Sequence, residues 1–322
     1  MKISIIIVSW NVKDDLVNCL DSIYRNPPSQ EYEIIVVDNA STDDTVATIK
    51  RQYKNVLVIE NLTNSGFSAA NNLGIHKARG QYLFLLNPDT IVCENAIDVL
   101  AKTLDNYEDS GGCGPRLFNP DGSDQIAVGS VPTFRAMLYG KTILRSLGIF
   151  RSHYKSLKHL DFDYETQKEM EQLSGAAVMV RNSVMKEIGL MDEAFFMYYE
   201  DIDLFLRIRK ARWKLLYVPT AKIIHAGGKS SDQVSWAKHM MMYESLFIFL
   251  KKHKGKFQTW SFSLIFKPLV IMKEIENLFS SLITLFFSLI SNSTNRKRKS
   301  INKLRLACIF LYKYSWKFLF SI

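Results

Sequence analysis

Apolar residues run almost unbroken through Ile3–Ser9 (ISIIIVS), Glu33–Val37 (EIIVV) and Tyr82–Leu86 (YLFLL). A strand covered on both faces by helices shows this run instead of alternation. Between the first two runs, Asp14–Tyr24 places Leu16, Leu20, Ile23 and Tyr24 at helical spacing and stops before Pro27-Pro28. Thr45–Tyr53 reads as a second helix and Val56–Glu60 as a short strand. The order β-α-β-α-β predicts a largely parallel sheet with right-handed crossovers, an α/β fold. Further along, Asn95–Tyr107 is an amphipathic helix, and Gly111-Gly112-Cys113-Gly114-Pro115 reads as a break. Leu173–Val180 resumes the strand pattern, and Arg181–Ile188 is a short helix closed by Gly189. Trp213–Val218 is a strand stopped by Pro219, followed by a strand at Lys222–His225. The irregular stretch 125–170 predicts a variable insertion over a site.

Polar side chains collect at the strand exits: Asn11, then Asp38 and Asn39, then Asn87 and Asp89 in Asn87-Pro88-Asp89. In an open α/β sheet ligands bind beyond the carboxyl ends of the strands. Carboxylates and amides there can hold a nucleotide base and ribose. Asp38 could equally cap a helix or an Asx-turn, as could Ser41 and Asp43. No GxGxxG follows the first strand, which disfavours a dehydrogenase-type dinucleotide fold. In NSGFSAANNLGI, Gly66 permits a tight turn and Ala69, Ala70 and Gly74 close packing. Asn71 and Asn72 on the helix interior are candidates for hydrogen bonds to a sugar or base.

A second chemical centre is Phe195–Arg207, where Glu200, Asp201 and Asp203 follow a bulky apolar run. Ile202, Phe205 and Leu206 continue at helical spacing, so Glu200 and Asp201 open a helix whose dipole favours anions. Carboxyls beside aromatic rings can carry a raised pKa, suited to a general base. His225 ends a strand before the basic, glycine-rich turn around Gly227, Gly228 and Lys229. Such a turn can meet phosphate, and His225 can ligate a divalent metal, though a lone His is more often structural.

The chain has 322 residues and is 47% apolar, enough for a sizeable core. Four scattered cysteines with no CxxC pair read as reduced and incidental, in keeping with a cytosolic location. Met1-Lys2 leads directly into a strand-like run, with no n-region, h-region and cleavage site of a signal peptide. The net charge of +9 is uneven. Lys251–Ile322 carries 14 Lys/Arg against 2 Asp/Glu, and the rest of the chain is slightly acidic. Nucleic acid is therefore not expected as a partner of the globular part. The tail holds the 13-residue apolar run Leu278–Ile290, too short to span a bilayer. After Arg296–Lys299 comes an aromatic, lysine-bearing segment, Leu304–Phe320. That pattern predicts a basic amphipathic helical region attached to a membrane surface; a helical subdomain or an oligomer contact is the other reading.

The segments IIIVSWN, VVDNASTD, NSGFSAANNLGI, LFLLNPDT, LSGAAVMVR, FFMYYEDIDLFLRIRKARW and HAGGKSS occur in this order over about Lys2–Ser231. Together they resemble the family-2 inverting glycosyltransferases of GT-A fold, in particular their rhamnosyltransferase-like members. The resemblance implies a GT-A domain over 1–250, with a membrane-associating region over 251–322. It implies that Asn87-Pro88-Asp89 stands where the family has Asp-x-Asp, with Asn87 replacing the first Asp. Asp89 and His225 would hold Mg²⁺ or Mn²⁺. Ser9, Asn11, Asp38, Asn64, Asn71, Asn87, Asp89 and Lys229 would bind a nucleoside-diphosphate sugar. Ser174, Gly175, Glu200 and Trp213 would line the acceptor side, and Asp201 would be the base, with Arg207 a companion. The implied reaction moves L-rhamnose from dTDP-L-rhamnose to a glycan or lipid-linked acceptor of a bacterial surface polysaccharide, at the cytoplasmic face of the inner membrane. A UDP-hexose donor and an inactive membrane-bound scaffold are the alternatives, and self-association is left open.

Overall fold

The computed structural model describes residues 1–227, 235–290 and 294–320. The first elements alternate: β1 (Ile3–Ser9), α1 (Lys13–Arg25), β2 (Tyr32–Asp38), α2 (Thr45–Gln52), β3 (Val56–Glu60), α3 (Phe67–Lys77) and β4 (Tyr82–Leu86). Next come β5 (Thr90–Val92), α4 (Ala96–Asn106), β6 (Ser110–Phe118), β7 (Asp124–Gln125) and β8 (Val128–Gly129). They are followed by α5 (Phe134–Lys141), α6 (Arg151–Lys158), β9 (Lys168–Glu169), β10 (Gln172–Leu173) and β11 (Ala177–Arg181). The series closes with α7 (Asn182–Ile188), α8 (Glu200–Lys210), β12 (Lys214–His225), α9 (Ser235–Lys254), α10 (Lys256–Ile290), α11 (Thr294–Ile309) and α12 (Ser315–Phe320).

Among the described residues the main sheet runs β3-β2-β1-β4-β11-β6-β12-β5. The first four strands of that order are mutually parallel, as the crossover pattern predicts. β11 runs antiparallel to β4 and β6, and β12 lies parallel to β6. All seven β1 residues and all five β4 residues are buried, because α1, α3 and α4 cover the sheet. α3 can lie close because Gly74 has no Cβ: one would come 2.5 Å from Ile6 Cγ2. The carboxyl ends of β1, β2 and β4 therefore open on one edge, at the amino ends of α1 and α3.

The structure corrects three expectations. Gly111–Pro115 is not a break but the buried middle of β6. A Cβ on Gly111 would meet Trp213 Cβ at 2.7 Å, so these glycines permit strand-to-side-chain approach. Pro219 does not stop its strand. β12 continues through it, with a register irregularity between Val218 and Lys222 that tolerates the missing N–H. The stretch 125–170 is more regular than expected, holding β7, β8, α5, α6 and β9. The apolar run 278–290 is the end of the 35-residue helix α10.

The chain divides into two compact units. One comprises Met1–Val131 with Lys158–Leu246 and contains the sheet. The other comprises Pro132–Leu157 with Phe247–Ile322, so residues 132–157 group with the C-terminal helices. Its interior is aromatic: Phe262 stacks on Phe134 at 4.9 Å and on Phe266 at 5.0 Å. Lys267 lies buried over the rings of Phe247 and Phe318, where desolvation pulls its pKa down. Among the described residues no helix is long and apolar enough to cross a membrane.

Candidate active site

Strand pairing assembles the first part of the site. β5 pairs antiparallel with the end of β12, setting Thr90 opposite His225 and Ile91 opposite Ile224. The Ala226 N–H donates to Asp89 O at 2.9 Å, closing the ladder. The Asp89 and His225 side chains are thereby brought together, with His225 Nε2 3.3 Å from Asp89 Oδ1. That distance suits an ion pair, yet Nε2 is buried and makes no hydrogen bond. The second ring nitrogen explains this. His225 Nδ1 faces Gln125 Oε1 at 2.7 Å. Gln125 Nε2 donates to Asn119 Oδ1 at 2.9 Å and to His225 O at 3.2 Å, so its carbonyl must be the group turned to the ring. Nδ1 then carries the proton, and in the neutral ring Nε2 is a lone pair facing a carboxylate oxygen. Two acceptors in that arrangement fit a cation between them. Adjacent ligands of a small divalent ion bound at about 2.1 Å lie roughly 3 Å apart. Among the described residues no group of three or more His, Cys, Asp or Glu converges on one point.

Asn87-Pro88-Asp89 is held from behind. Thr90 Oγ1 donates to Asn87 O at 2.8 Å, and the Asn87 N–H donates to Ala176 O at 2.8 Å. Cys19, read above as incidental, lies beneath the turn with Sγ 3.5 Å from Thr90 Oγ1. Burial pushes its thiol up to about 12.

The second part lies at the ends of β1 and β2, where Ser9 is paired in register with Asp38. Asp38 Oδ2 accepts from the Ser41 N–H at 2.9 Å, which is the expected Asx-turn bond. Its other oxygen, Oδ1, is buried without a hydrogen-bond partner, and so is Ser9 Oγ. A buried carboxylate oxygen left unmet costs on the order of 1–3 kcal/mol, which a donor group on a ligand would offset. Asn11, in left-handed backbone geometry at φ 51°, uses Oδ1 to accept from the Thr42 N–H at 2.7 Å. Asn39 Nδ2 donates to Asn64 Oδ1 at 2.8 Å, and Asn64 Oδ1 also accepts from the Gly66 N–H at 3.0 Å. Asn64 thus shapes the loop into α3. Asn71 Nδ2 bonds Phe67 O within its own helix, at 2.9 Å. Asn72 is fully engaged with Met191 and Glu193, so its expected sugar or base contact gives way to a structural clamp.

The third part is the acidic start of α8. Tyr198 and Tyr199 both have positive φ, 71° and 67°. Two successive non-glycine residues in that region cost on the order of 1–3 kcal/mol each. They turn the chain so that Glu200 and Asp201 open the helix. Asp201 Oδ1 accepts from the Ile202 N–H at 2.8 Å. Its Oδ2 lies where a Cβ on Gly175 would come within 2.9 Å. Gly175 is next to Ala176, the acceptor for Asn87, so the 174–176 loop links the Asn87 turn to Asp201. Ser174 Oγ accepts from the Ala176 N–H at 3.3 Å, holding the same loop. Burial raises the Glu200 carboxyl well above its usual range, and the Asp201 charge adds to the effect. Burial likewise raises Asp201, against the pull of the Ile202 N–H and the Lys158 charge. Glu200 is buried with Oε2 lacking a hydrogen bond, whereas Asp201 is partly exposed. Asp203 pairs with Arg207 at 2.8 Å, and Arg207 also binds the carbonyls of Ile188, Gly189 and Leu190. That makes Arg207 a structural tie.

One expected residue does not join the site. Trp213 precedes β12, at the sheet edge opposite to His225, and its Nε1 donates to Glu187 Oε2 at 3.0 Å. An acceptor role is corrected to packing against Gly111. Lys229 lies outside the described residues. Gln125 was missed: its only sequence signal is a polar residue after a turn, and its meaning comes from a partner 100 residues away.

A model of glycosyl transferase family 2 matches residues 4–186. The N-acetylglucosaminyl-diphospho-decaprenol L-rhamnosyltransferase of Mycobacterium tuberculosis is 28% identical over 236 residues, 69% of this chain and 76% of that protein. The low-salt glycan biosynthesis hexosyltransferase Agl10 of Haloferax volcanii is 27% identical, over 75% of this chain and 72% of its own. Among solved structures, the mannosyltransferase PcManGT from Pyrobaculum calidifontis, in complex with GDP-Man and Mn²⁺, matches with a TM-score of 0.54 at 14% identity. That match covers 97% of this chain and 88% of the other. S. aureus TarS 1–349 matches with a TM-score of 0.51 at 17% identity, over 97% and 91%. The fold is GT-A-like.

Two outcomes follow from the geometry. Gln125→Leu, which frees the His225 ring, weakens Mn²⁺ binding in the presence of a nucleoside diphosphate about 10–100-fold, while Gln125→Glu retains it, as read by Mn²⁺ EPR titration. Glu200→Gln raises the thermal midpoint near neutral pH. The sign follows from linkage: a carboxyl with a raised folded-state pKa contributes stability at low pH that is lost as pH rises. The gain therefore shrinks as pH falls toward the ordinary glutamate value of 4.5. A scan of midpoint against pH for both proteins checks it.

Proposed function

The chain belongs to glycosyl transferase family 2, and we propose that it is an inverting transferase moving a sugar from a nucleoside diphosphate to an acceptor hydroxyl, with Asp201 as general base. The observation that most supports this is the continuous link from Asp89 through Asn87 and the 174–176 loop to Asp201. It brings a cation-ready carboxylate–imidazole pair and a carboxyl of raised pKa to one edge of the sheet.

Each part has a role in this reading. Asp38 Oδ1 and Ser9 Oγ, both buried without partners, meet the hydrogen-bond donors and acceptors of the nucleoside. Asp89 and His225 would hold Mg²⁺ or Mn²⁺, the imidazole making Mn²⁺ suitable, with Lys229 nearby in sequence for phosphate. The ion, when bound, offsets charge on the departing diphosphate. Asn87 supplies an amide rather than a carboxylate and anchors the turn through its backbone. Asp201 removes the proton of the acceptor hydroxyl. The acceptor oxygen attacks the anomeric carbon from the face opposite the diphosphate, whose oxygen leaves with the bonding electron pair. One displacement inverts the carbon and leaves the proton on Asp201. The raised Asp201 carboxyl supports this role, because a base works best with a pKa above the ordinary carboxylate range. Gly175 leaves the space in which the Asp201 carboxylate sits, and the Asp201 charge helps to raise the buried Glu200 behind it.

For the donor we propose dTDP-L-rhamnose and for the acceptor a lipid-linked glycan of a bacterial surface polysaccharide. The rhamnosyltransferase relative and its diphospho-decaprenol substrate support both. A hexose donor is the second reading, supported by the hexosyltransferase relative.

Incubation of the full chain with dTDP-L-rhamnose, UDP-glucose or UDP-galactose, an N-acetylglucosaminyl-diphospho-lipid and Mn²⁺ tests this. One donor is expected to be consumed, with inversion of the anomeric centre by NMR. Asp201→Asn lowers kcat about 10²–10⁴-fold with little change in donor KM. Retention at the anomeric carbon, or an Asp201→Asn variant with full kcat, overturns the assignment.

A further inference from the structure

Helix α10 has two contrasting faces. One face packs inside its own unit through Phe262, Phe266 and Val270, with Lys267 buried among rings. From α11, Lys303 Nζ donates to Ser280 Oγ at 3.2 Å on the flank of that face. The opposite face carries Phe257, Trp260, Leu264, Ile275, Phe279 and Phe286, each 39–77% exposed. At 3.6 residues per turn these six fall within a sector about 100° wide and run for about 45 Å. No Asp, Glu, Lys or Arg falls in that sector from Phe257 to Phe286. The charged residues of the helix are placed elsewhere: Lys273 and Glu276 pair with each other at 2.7 Å, and both bond Ser146. An exposed, charge-free, aromatic stripe of this length exceeds what a surface facing only water normally carries.

Charge selects the occupant. Lys251–Ile322 holds 14 basic and 2 acidic residues, and Lys251, Lys252, Lys254 and Lys256 immediately precede the stripe. A second copy would bring the same positive charge against it and be repelled. An anionic lipid surface offers the opposite charge and an apolar layer to receive the rings. No described helix is apolar enough to cross a bilayer, so the stripe meets it lengthwise. We infer that the exposed face of α10, from Phe257 to Phe286, is a membrane-docking surface that lies in the interface of an anionic bilayer, with its basic neighbours at the headgroups. The inference is independent of which sugar the active site transfers. It narrows membrane contact from the tail in general to one face of one helix.

Flotation of the full chain with vesicles of phosphatidylcholine, with and without phosphatidylglycerol, tests it. The wild type is expected to float with the anionic vesicles, and less with added salt. Leu264→Glu combined with Phe279→Glu lowers vesicle partitioning at least about tenfold with an unchanged thermal midpoint, since both side chains are exposed. In the wild type, brominated phosphatidylglycerol quenches a fluorescence component that Trp260→Phe removes. Three results each overturn the inference. One is a wild type that stays with the protein-only fraction. Another is a double variant that floats like the wild type. The third is a stripe variant that only converts a dimer to a monomer in sedimentation, which would make the stripe a contact between copies.

Discussion

The pairing of β5 with the last residues of β12 is the constraint on which the site depends. It joins a turn after the central strand to the far end of a strand more than a hundred residues later. Without that ladder Asp89 and His225 would be unrelated side chains. With it, a lone-pair nitrogen and a carboxylate oxygen are held 3.3 Å apart in a buried place. Two acceptors held that close suit a positive charge between them. Gln125 makes the arrangement unambiguous, since its own amide is fixed by Asn119 and the His225 carbonyl. β12 stays paired with β6 on both sides of the register irregularity near Pro219, while its other edge passes from β9 to β5 before His225.

Burial creates reactive groups at three points along one edge. Asp38 keeps one oxygen bonded to its own turn and one unmet. Glu200 and Asp201 are raised by desolvation, which costs stability and fits the proposed base. Two left-handed tyrosines set the entry to α8, a strain that the packed core must hold. Small residues set the spacing, since Gly175 leaves the gap in which the Asp201 carboxylate sits.

The buried strands were legible because their unbroken apolar runs admit few other readings. Asp38, Asp89, Asp201 and His225 were legible as polar residues at strand exits and at a helix start, while the roles proposed for them rest on the family resemblance. Other features were hidden for physical reasons. Gly111–Pro115 has no side-chain signal, and only Trp213 and the neighbouring strands show that it is a strand. Trp213 was misplaced because an aromatic residue near an acidic motif in sequence lies at the other end of β12 in space. The extent of α10 was hidden because its charges, Lys267, Lys273 and Glu276, interrupt the apolar run in sequence but leave its exposed face clear. Gln125 acts through a bond to a residue 100 positions away, which no local pattern encodes.

The proposed role of Asp89 and His225 is a cation-dependent seat for a nucleoside diphosphate. The most direct measurement is calorimetric titration of dTDP and UDP into the full chain, with Mn²⁺ and with chelator, for the wild type and His225→Ala. Binding of one nucleotide that requires Mn²⁺ and is lost in the variant is expected. Binding of equal strength with chelator present, or in His225→Ala, would contradict it.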